Sequence, residues 1–517
     1  MDLKRICPLI SSDGLVISVK EFKQIFGISG YKSFLRKFII RIKSPVGTYY
    51  TERKIYRLKD DKLMLPRFCV NKLLDSGIIG RPVVKLQNVD SELEELDFLG
   101  EPTHNQLMVA NHITENYFSK DMKQKGQCGV TAFMVAGGGK TFLTMYIMSL
   151  LKKKTLIIVP NTYLLKQWET VISEFITGAS CGVYYGKEKK DGDIVIGIIN
   201  SFTNKEGVIK FKTKQNKKVT DIEMTITEYC KKFGLVVFDE SHLYSTEERC
   251  CIYNYISATY VLGLSATPDE REDGTDKISH LNIGPVLDCS SVEGYIPHNN
   301  NFVSEVKIIK YDAHPDFCEN RILDSTGMIS IPLMLEDLTT DPYRNNLIIK
   351  EIQLLLSKDD NVNIFVFSDR RAHCEMLQEM FFENLSNDSK EKTSIESKEE
   401  FVEVVCTMYG GCGDSIIQQA KKTARIIFTT YAYSSTGVSI EKLTGLVLAT
   451  PRRSKARQII GRIFRNKEEF MSYKRYIVDI CDINSCLKQQ LYKRMPAYKE
   501  RNADVYYENK HWKEFEY

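Results

Sequence analysis

Between residues 128 and 290, short apolar runs alternate with amphipathic or charged stretches: VTAFMV, TLIIVP, DIVIGII, GLVVFD and YVLGLS. Consecutive apolar positions, rather than alternating ones, suit parallel strands whose two faces are both covered by helices. A second series repeats the texture further on: NIFVFSD, FVEVVCTMY, ARIIFTTY, GLVLAT and YIVDI. The pattern predicts an α/β chain of two successive units, each built on an open parallel sheet. Residues 300–345 between them read as irregular. Residues 385–400, polar and charged, read as a surface insertion.

The first 90 residues follow a different rhythm. GLVISV and KIYRLKDDKLML alternate, no long helical period emerges, and a small α+β module is expected. DSELEELDFLGEP, closing on Gly100 and Pro102, reads as an acidic linker. The domain boundaries expected are therefore 1–90, 91–300, 301–490 and a tail, 491–517. That tail, rich in tyrosine and charge, is read as a packed helix and strand, with a docking surface as the alternative.

Charge sharpens this division. Residues 1–90 carry 18 Lys and Arg against 8 Asp and Glu, an excess of ten, so the remainder stands at −6 within a formal total of +4. A basic module on a mildly acidic body suggests contact with a polyanion, a solvated lysine-rich face being the alternative. The fourteen cysteines are scattered, apart from Cys250 and Cys251, and contain no C-x-x-C. Zinc ribbons and fingers are excluded on spacing, leaving free thiols in a reducing compartment. No apolar run approaches the ~18 residues of a membrane helix, and the N-terminus lacks a secretory pattern. The expected location is the cytoplasm or nucleus, not the exterior.

The chemistry begins at residues 134–141, MVAGGGKT. The phosphate-loop pattern G-x-x-x-x-G-K-[ST] is met by Gly139, Lys140 and Thr141, while Met134 replaces the first glycine. A strand precedes the stretch and a helix follows it, so backbone N–H groups of Ala136, Gly137, Gly138 and Gly139 can face phosphate oxygens. Lys140 would reach the β/γ-phosphates and Thr141 would hold Mg²⁺. Ninety-nine residues after Lys140, FGLVVFDESH carries Asp239 and Glu240 to a strand tip. Ligands bind at that edge of an open α/β sheet. Asp239 suits the metal, and Glu240 suits the proton of an attacking water. In YVLGLSATPDE, Ser265 and Thr267 could bond to that carboxylate pair and report its state.

Taken in order, GGGKT, DESH and SAT resemble motifs I, II and III of the superfamily 2 helicases, in which the first loop residue is often not glycine. The resemblance implies two tandem RecA-like domains, with ATP and Mg²⁺ as cofactors. It implies that Gln106 in PTHNQLMVANHI reads the adenine edge. Pro160, Asn161 and Gln167 in TLIIVPNTYLLKQW, and Ser201 after DIVIGIIN, would lie near a nucleic-acid backbone. QIIGRIFR resembles motif VI at every defined position. Arg462 and Arg465, three apart on one helix face, would stabilise transition-state charge on the γ-phosphate. FTTYAYSSTGVSI resembles motif V, with Thr429 and Thr430 near nucleic acid and Gly437 near the nucleotide. Ser439 stands where many relatives have aspartate. NIFVFSDR resembles motif IV, with Ser368 near the bound strand. His242 and Gln458 join Ser265 and Thr267 as coupling residues.

Arg271, Glu272 and Asp273 resemble a charged element of XPB-type DNA helicases. The wider combination resembles helicases of large nucleocytoplasmic DNA viruses, of the African swine fever virus type, with poxvirus transcript-release helicases more distant. Location in a viral factory or virion follows from that resemblance. The implied partner is nucleic acid, DNA ahead of RNA, with transcription or replication proteins and no membrane. A transcript-release factor or RNA-directed helicase is the alternative. The basic module, with Lys4, Arg5, Arg36, Lys37, Arg41 and Lys43, is expected to clamp a duplex or substrate.

Overall fold

The computed structural model describes residues 5–43, 50–86, 92–134, 138–186, 188–204, 206–215, 218–266, 274–296, 302–323, 327–387, 403–410, 412–434, 440–452, 456–464 and 472–515. The chain divides into two compact units, Met1–Pro297 and His298–Tyr517. No helix among the described residues is long and apolar enough to cross a membrane.

The first unit is built on an eight-stranded sheet. Its strands are β1 (Gly129–Phe133), β2 (Thr155–Val159), β3 (Cys181–Tyr185), β4 (Glu188–Lys190), β5 (Ile194–Ile198), β6 (Leu235–Phe238), β7 (Tyr260–Ser265) and β8 (Val286–Asp288). Their order is β4-β3-β5-β2-β6-β7-β1-β8, and every pairing is parallel except β3 with β4. Strands β2, β6 and β7 are buried at every position, the signature of a sheet covered on both faces. Helix α1 (Lys140–Leu151) follows β1, and α2 (Thr162–Phe175) follows β2. Along α2 the buried residues Leu164, Leu165, Trp168 and Ile172 recur at helical spacing and form its core-facing stripe.

The second unit is built on a seven-stranded sheet: β9 (Ser304–Asp312), β10 (Ile364–Ser368), β11 (Val405–Met408), β12 (Ile426–Thr430), β13 (Gly445–Leu448), β14 (Arg475–Asp482) and β15 (Asp504–His511). All pairings are parallel, in the order β11-β12-β10-β13-β14-β9-β15. The C-terminal segment is thus the seventh strand of a sheet.

Two expectations need correction. Residues 300–345 are not irregular: they contain β9 and the helix Ile331–Thr340, and a further helix, Pro342–Lys358, starts there. The acidic segment before Gly100 is no free linker. Asp97–Phe98 pairs with Ile176–Thr177, and Leu96 is wholly buried. The N-terminal region is helical from Val19 to Arg36 except at Gly27, whose φ of +72° and ψ of 172° separate two short helices, in keeping with the lack of a long helical period.

The basic module forms a five-stranded sheet that belongs to the first unit. Its attachment runs through Arg67, whose buried guanidinium donates to the carbonyls of Gly126 (2.6 Å), Ala258 (2.6 Å) and Thr259 (2.7 Å). Those carbonyls lie just ahead of β1 and β7. A Cβ on Gly129 would sit 2.1 Å from the Phe68 ring, so this glycine lets the module approach β1.

Candidate active site

Parallel pairing brings the sequence motifs together. Because β1, β2, β5, β6 and β7 all run the same way, their C-terminal ends share one sheet edge. From that edge leave the GGGKT loop, Pro160–Asn161, Ser201, Asp239–Glu240 and Ser265.

At the phosphate loop, Ala136 and Gly137 lie outside the described residues. Gly139 is left-handed (φ +81°) and starts α1, and Lys140 and Thr141 occupy the first turn, both half-buried. Gln106 sits against this turn. Its amide donates to Gly139 O (3.2 Å), while its Oε1 accepts from the Thr103 N–H (2.8 Å) in a capping box. A Cβ on Gly139 would come within 2.2 Å of Gln106 Nε2. Read from sequence as an adenine contact, Gln106 braces the loop through its Nε2 and caps its own helix through its Oε1.

The carboxylate pair is tightly held. Asp239 Oδ1 accepts from the Glu240 N–H (3.0 Å), and Oδ2 accepts from the indole N–H of Trp168 (2.8 Å). Burial, then the neighbouring Glu240 charge, raises the Asp239 carboxyl to about 6, against the pull of Trp168 and Lys140. Glu240 occupies the left-handed region (φ +52°, ψ +51°). Such backbone costs a non-glycine residue about 1–3 kcal/mol and turns up at functional sites. Glu240 Oε2 is buried and accepts no hydrogen bond from a described residue. His242 Nδ1 lies 3.5 Å from that oxygen and 3.2 Å from Ser265 Oγ. The expected bond between Ser265 and the pair therefore runs by way of His242. Thr267 lies outside the described residues, as do Arg271, Glu272 and Asp273.

These are hard oxygen donors. A carboxylate with a threonine hydroxyl fits Mg²⁺, which takes few protein ligands and keeps water and phosphate oxygens. Glu240 Oε2, buried beside His242 and accepting no hydrogen bond from a described residue, fits the role of proton acceptor. Trp168, which sequence reasoning passed over, is the neighbour of Gln167 in the segment already singled out; only the fold shows that its N–H reaches Asp239.

The proposed strand-contacting residues divide. Pro160, Asn161, Gln167 and Ser201 are half-buried at the shared edge or on α2. Asn161 caps α2 by accepting from the Leu164 N–H (3.0 Å), and Gln167 Oε1 is buried with no hydrogen bond from a described residue.

In the second unit, Ser368 and Thr429 are fully buried. The Ser368 hydroxyl bonds to His373 Nδ1 (2.9 Å) and accepts from the Arg370 N–H (3.1 Å); Thr429 donates to Met408 O (2.6 Å). Thr430 is buried and caps Tyr433 N–H (3.4 Å). Here the expectation of direct strand contact gives way: these hydroxyls pin strand ends. The continuous helix expected over QIIGRIFR stops at Ile460. Gly461–Ile463 is a single 3₁₀ turn, and Arg475 Nε takes the Ile463 carbonyl (2.5 Å). Glycine is a poor helix former, which favours the break at Gly461. Gln458 and Arg462 are buried there. Gly437, Ser439 and Arg465 lie outside the described residues.

Residues 100–270 match the family model described as "Type III restriction enzyme, res subunit". The chain is 30% identical over 387 residues to an African swine fever virus protein named "Putative ATP-dependent RNA helicase", covering 72% of this chain and 68% of that one. It is 30% identical over 157 residues to "DNA 3'-5' translocase XPB2" of Sulfurisphaera tokodaii, covering 30% of this chain and 31% of that one. Among solved structures, a fragment of a "putative HsdR subunit of a type I restriction enzyme" from Vibrio vulnificus shares the fold. Its TM-score is 0.52 at 15% identity, covering 96% of this chain and 82% of that one.

Proposed function

The chain belongs to the superfamily 2 helicases, and from that premise we propose that it couples ATP hydrolysis to movement along nucleic acid, with DNA the favoured strand. One observation carries the reading. Asp239 and Glu240 leave β6 at the edge where β1 delivers the phosphate loop, with Glu240 Oε2 buried beside His242 and accepting no hydrogen bond from a described residue.

Lys140 would take the β/γ-phosphates, and Thr141 and Asp239 would hold Mg²⁺, which would supply charge neutralisation for the phosphates. Glu240 accepts the proton of the water that attacks the γ-phosphorus as the bond to the ADP oxygen breaks. Arg462 and Arg465 are assigned to the transferring phosphoryl charge. The strand is held mainly through its phosphates, so binding weakens steeply with salt. Pro160, Asn161, Gln167 and Ser201 are its nearest candidates in the first unit. The basic module serves as a duplex clamp. Exposure of Arg5, Arg36, Lys37 and Arg41 supports that role; Lys4 and the Lys43 side chain lie outside the described residues.

The archaeal relative's name supports DNA, and the viral relative's name supports RNA. Steady-state ATP hydrolysis with single-stranded DNA, duplex DNA and RNA separates them, with Glu240→Gln as control. Strong stimulation by DNA, lost in Glu240→Gln, is the expected result. Preferential stimulation by RNA transfers the chain to an RNA-directed or transcript-release role. Absence of hydrolysis under every condition overturns the motor assignment. Retained affinity after charge reversal at Arg36, Lys37 and Arg41 removes the clamp.

A further inference from the structure

We propose that Trp168 is a positioning residue that ties the nucleic-acid side of the first unit to the metal-binding carboxylate. The inference rests on the motor reading above and adds a route by which a bound strand changes hydrolysis. Helix α2 begins at the Asn161 cap, beside Pro160, and carries Gln167. One residue after Gln167, Trp168 turns inward, 1% exposed, and donates its indole N–H to Asp239 Oδ2 at 2.8 Å.

The geometry is restrictive. Asp239 has two carboxylate oxygens: Oδ1 takes the adjacent Glu240 N–H, and Oδ2 takes Trp168. The first bond is local to β6 and moves with it. The second reaches 71 residues back, to a helix on another strand's crossover. The direction of the Oδ2 lone pairs therefore follows the placement of α2. Trp168 packs on α2 with Leu164, Leu165 and Ile172, so the ring cannot swing independently of the helix. A strand that shifts the α2 N-terminus by a few tenths of an ångström moves the indole N–H, and with it the carboxylate that orients the metal. Gln167 supports the assignment, since its buried Oε1 accepts no hydrogen bond from a described residue. Beside Trp168, α2 thus holds an acceptor free to engage a donor when the helix moves.

The chain contains two tryptophans, Trp168 and Trp512. With Trp512→Phe, emission reports Trp168 alone. Emission is followed while Mg²⁺ with a non-hydrolysable ATP analogue is added, then single-stranded DNA. Two successive changes are expected, the second absent when DNA is omitted. In parallel, Trp168→Phe keeps the aromatic bulk and removes the N–H. Its Mg²⁺ concentration for half-maximal hydrolysis should rise about three- to tenfold. Its stimulation by DNA should fall at least threefold, with DNA affinity itself unchanged.

Silent emission, or a folded Trp168→Phe with the parent's Mg²⁺ midpoint and stimulation, overturns the proposal and leaves the motor intact. If Trp168→Phe does not fold, the emission response alone decides. A parent that shows no DNA-stimulated hydrolysis overturns the motor reading and this inference together.

Discussion

Replacing Arg67 by methionine tests whether three backbone carbonyls hold the basic module to the motor. Each guanidinium–carbonyl bond contributes about 1.5–3 kcal/mol net when the donor is charged, so the three set a ceiling of roughly 5–9 kcal/mol. Against that stands the cost of burying a cation whose partners are carbonyls rather than a carboxylate. Burial draws the guanidinium from 12.5 down to about 10. At about 1.4 kcal/mol per pKa unit the penalty is roughly 3 kcal/mol. The bonds win, and Arg67→Met should destabilise the first unit by about 2–6 kcal/mol. Arg67→Lys separates charge from shape. Its single ammonium cannot reproduce bonds made by Nε, Nη1 and Nη2, so it should recover less than half of the loss. Urea unfolding followed by circular dichroism reads both variants. Losses within about 0.5 kcal/mol of zero, the range of ordinary surface changes, refute the strap. Full recovery in Arg67→Lys refutes the geometric part.

Three further outcomes are expected. Burial, with the Arg344 charge, depresses the His373 imidazole to about 3. The unfolded chain therefore takes up that proton first, near 6.5. Stability tied to neutral His373 is full above that pH and drains towards pH 3 at about 1.4 kcal/mol per unit. His373→Gln should flatten this slope, and urea midpoints compared near neutrality and near pH 5 show whether it does. Glu240→Gly should be at least as stable as the parent, since relief of about 1–3 kcal/mol of backbone strain offsets glycine's chain entropy of about 0.4–1 kcal/mol. Its ATP turnover should drop at least about 10²-fold; a less stable variant with normal turnover contradicts both claims. Arg494 forks onto Asp479 (2.8 and 2.7 Å) in the interior and donates to the part-buried Arg452 O (2.7 Å). Arg494→Met should cost about 3–5 kcal/mol by stranding Asp479, and a thermal shift under a few degrees argues against it.

What the sequence revealed follows from what kind of element each motif sits on. Strands buried on both faces have no choice but to be apolar throughout, so TLIIV and GLVVF announced β2 and β6 directly. Loops that must approach a ligand need glycine, so GGGKT stood out despite Met134. Side chains whose meaning lies in a distant partner left no mark. Arg67 is one basic residue among eighteen until its carbonyls, 59 and 191 or more residues away, come into view. Trp168 reads as core filler by spacing, and it is core, yet its one polar atom meets Asp239. Ser368 and Thr429 misled because a hydroxyl at a strand end has two uses, and order along the chain does not say which. Here the buried environment had already taken them.

The last strand has a practical consequence for anyone preparing the protein. β15 closes one border of the second sheet with Glu508, Asn509 and Lys510 on its run, and Glu508 pairs with Lys307 on β9 (2.5 Å). A guarded border of this kind discourages a second chain from adding on. Trimming the final fourteen residues as an untidy end would strip that guard. The new border would be β9, with Val306, Ile308 and Ile309 between bare N–H and C=O groups. Such a product would be prone to self-association during expression. Any purification handle therefore leaves residues 504–511 in place.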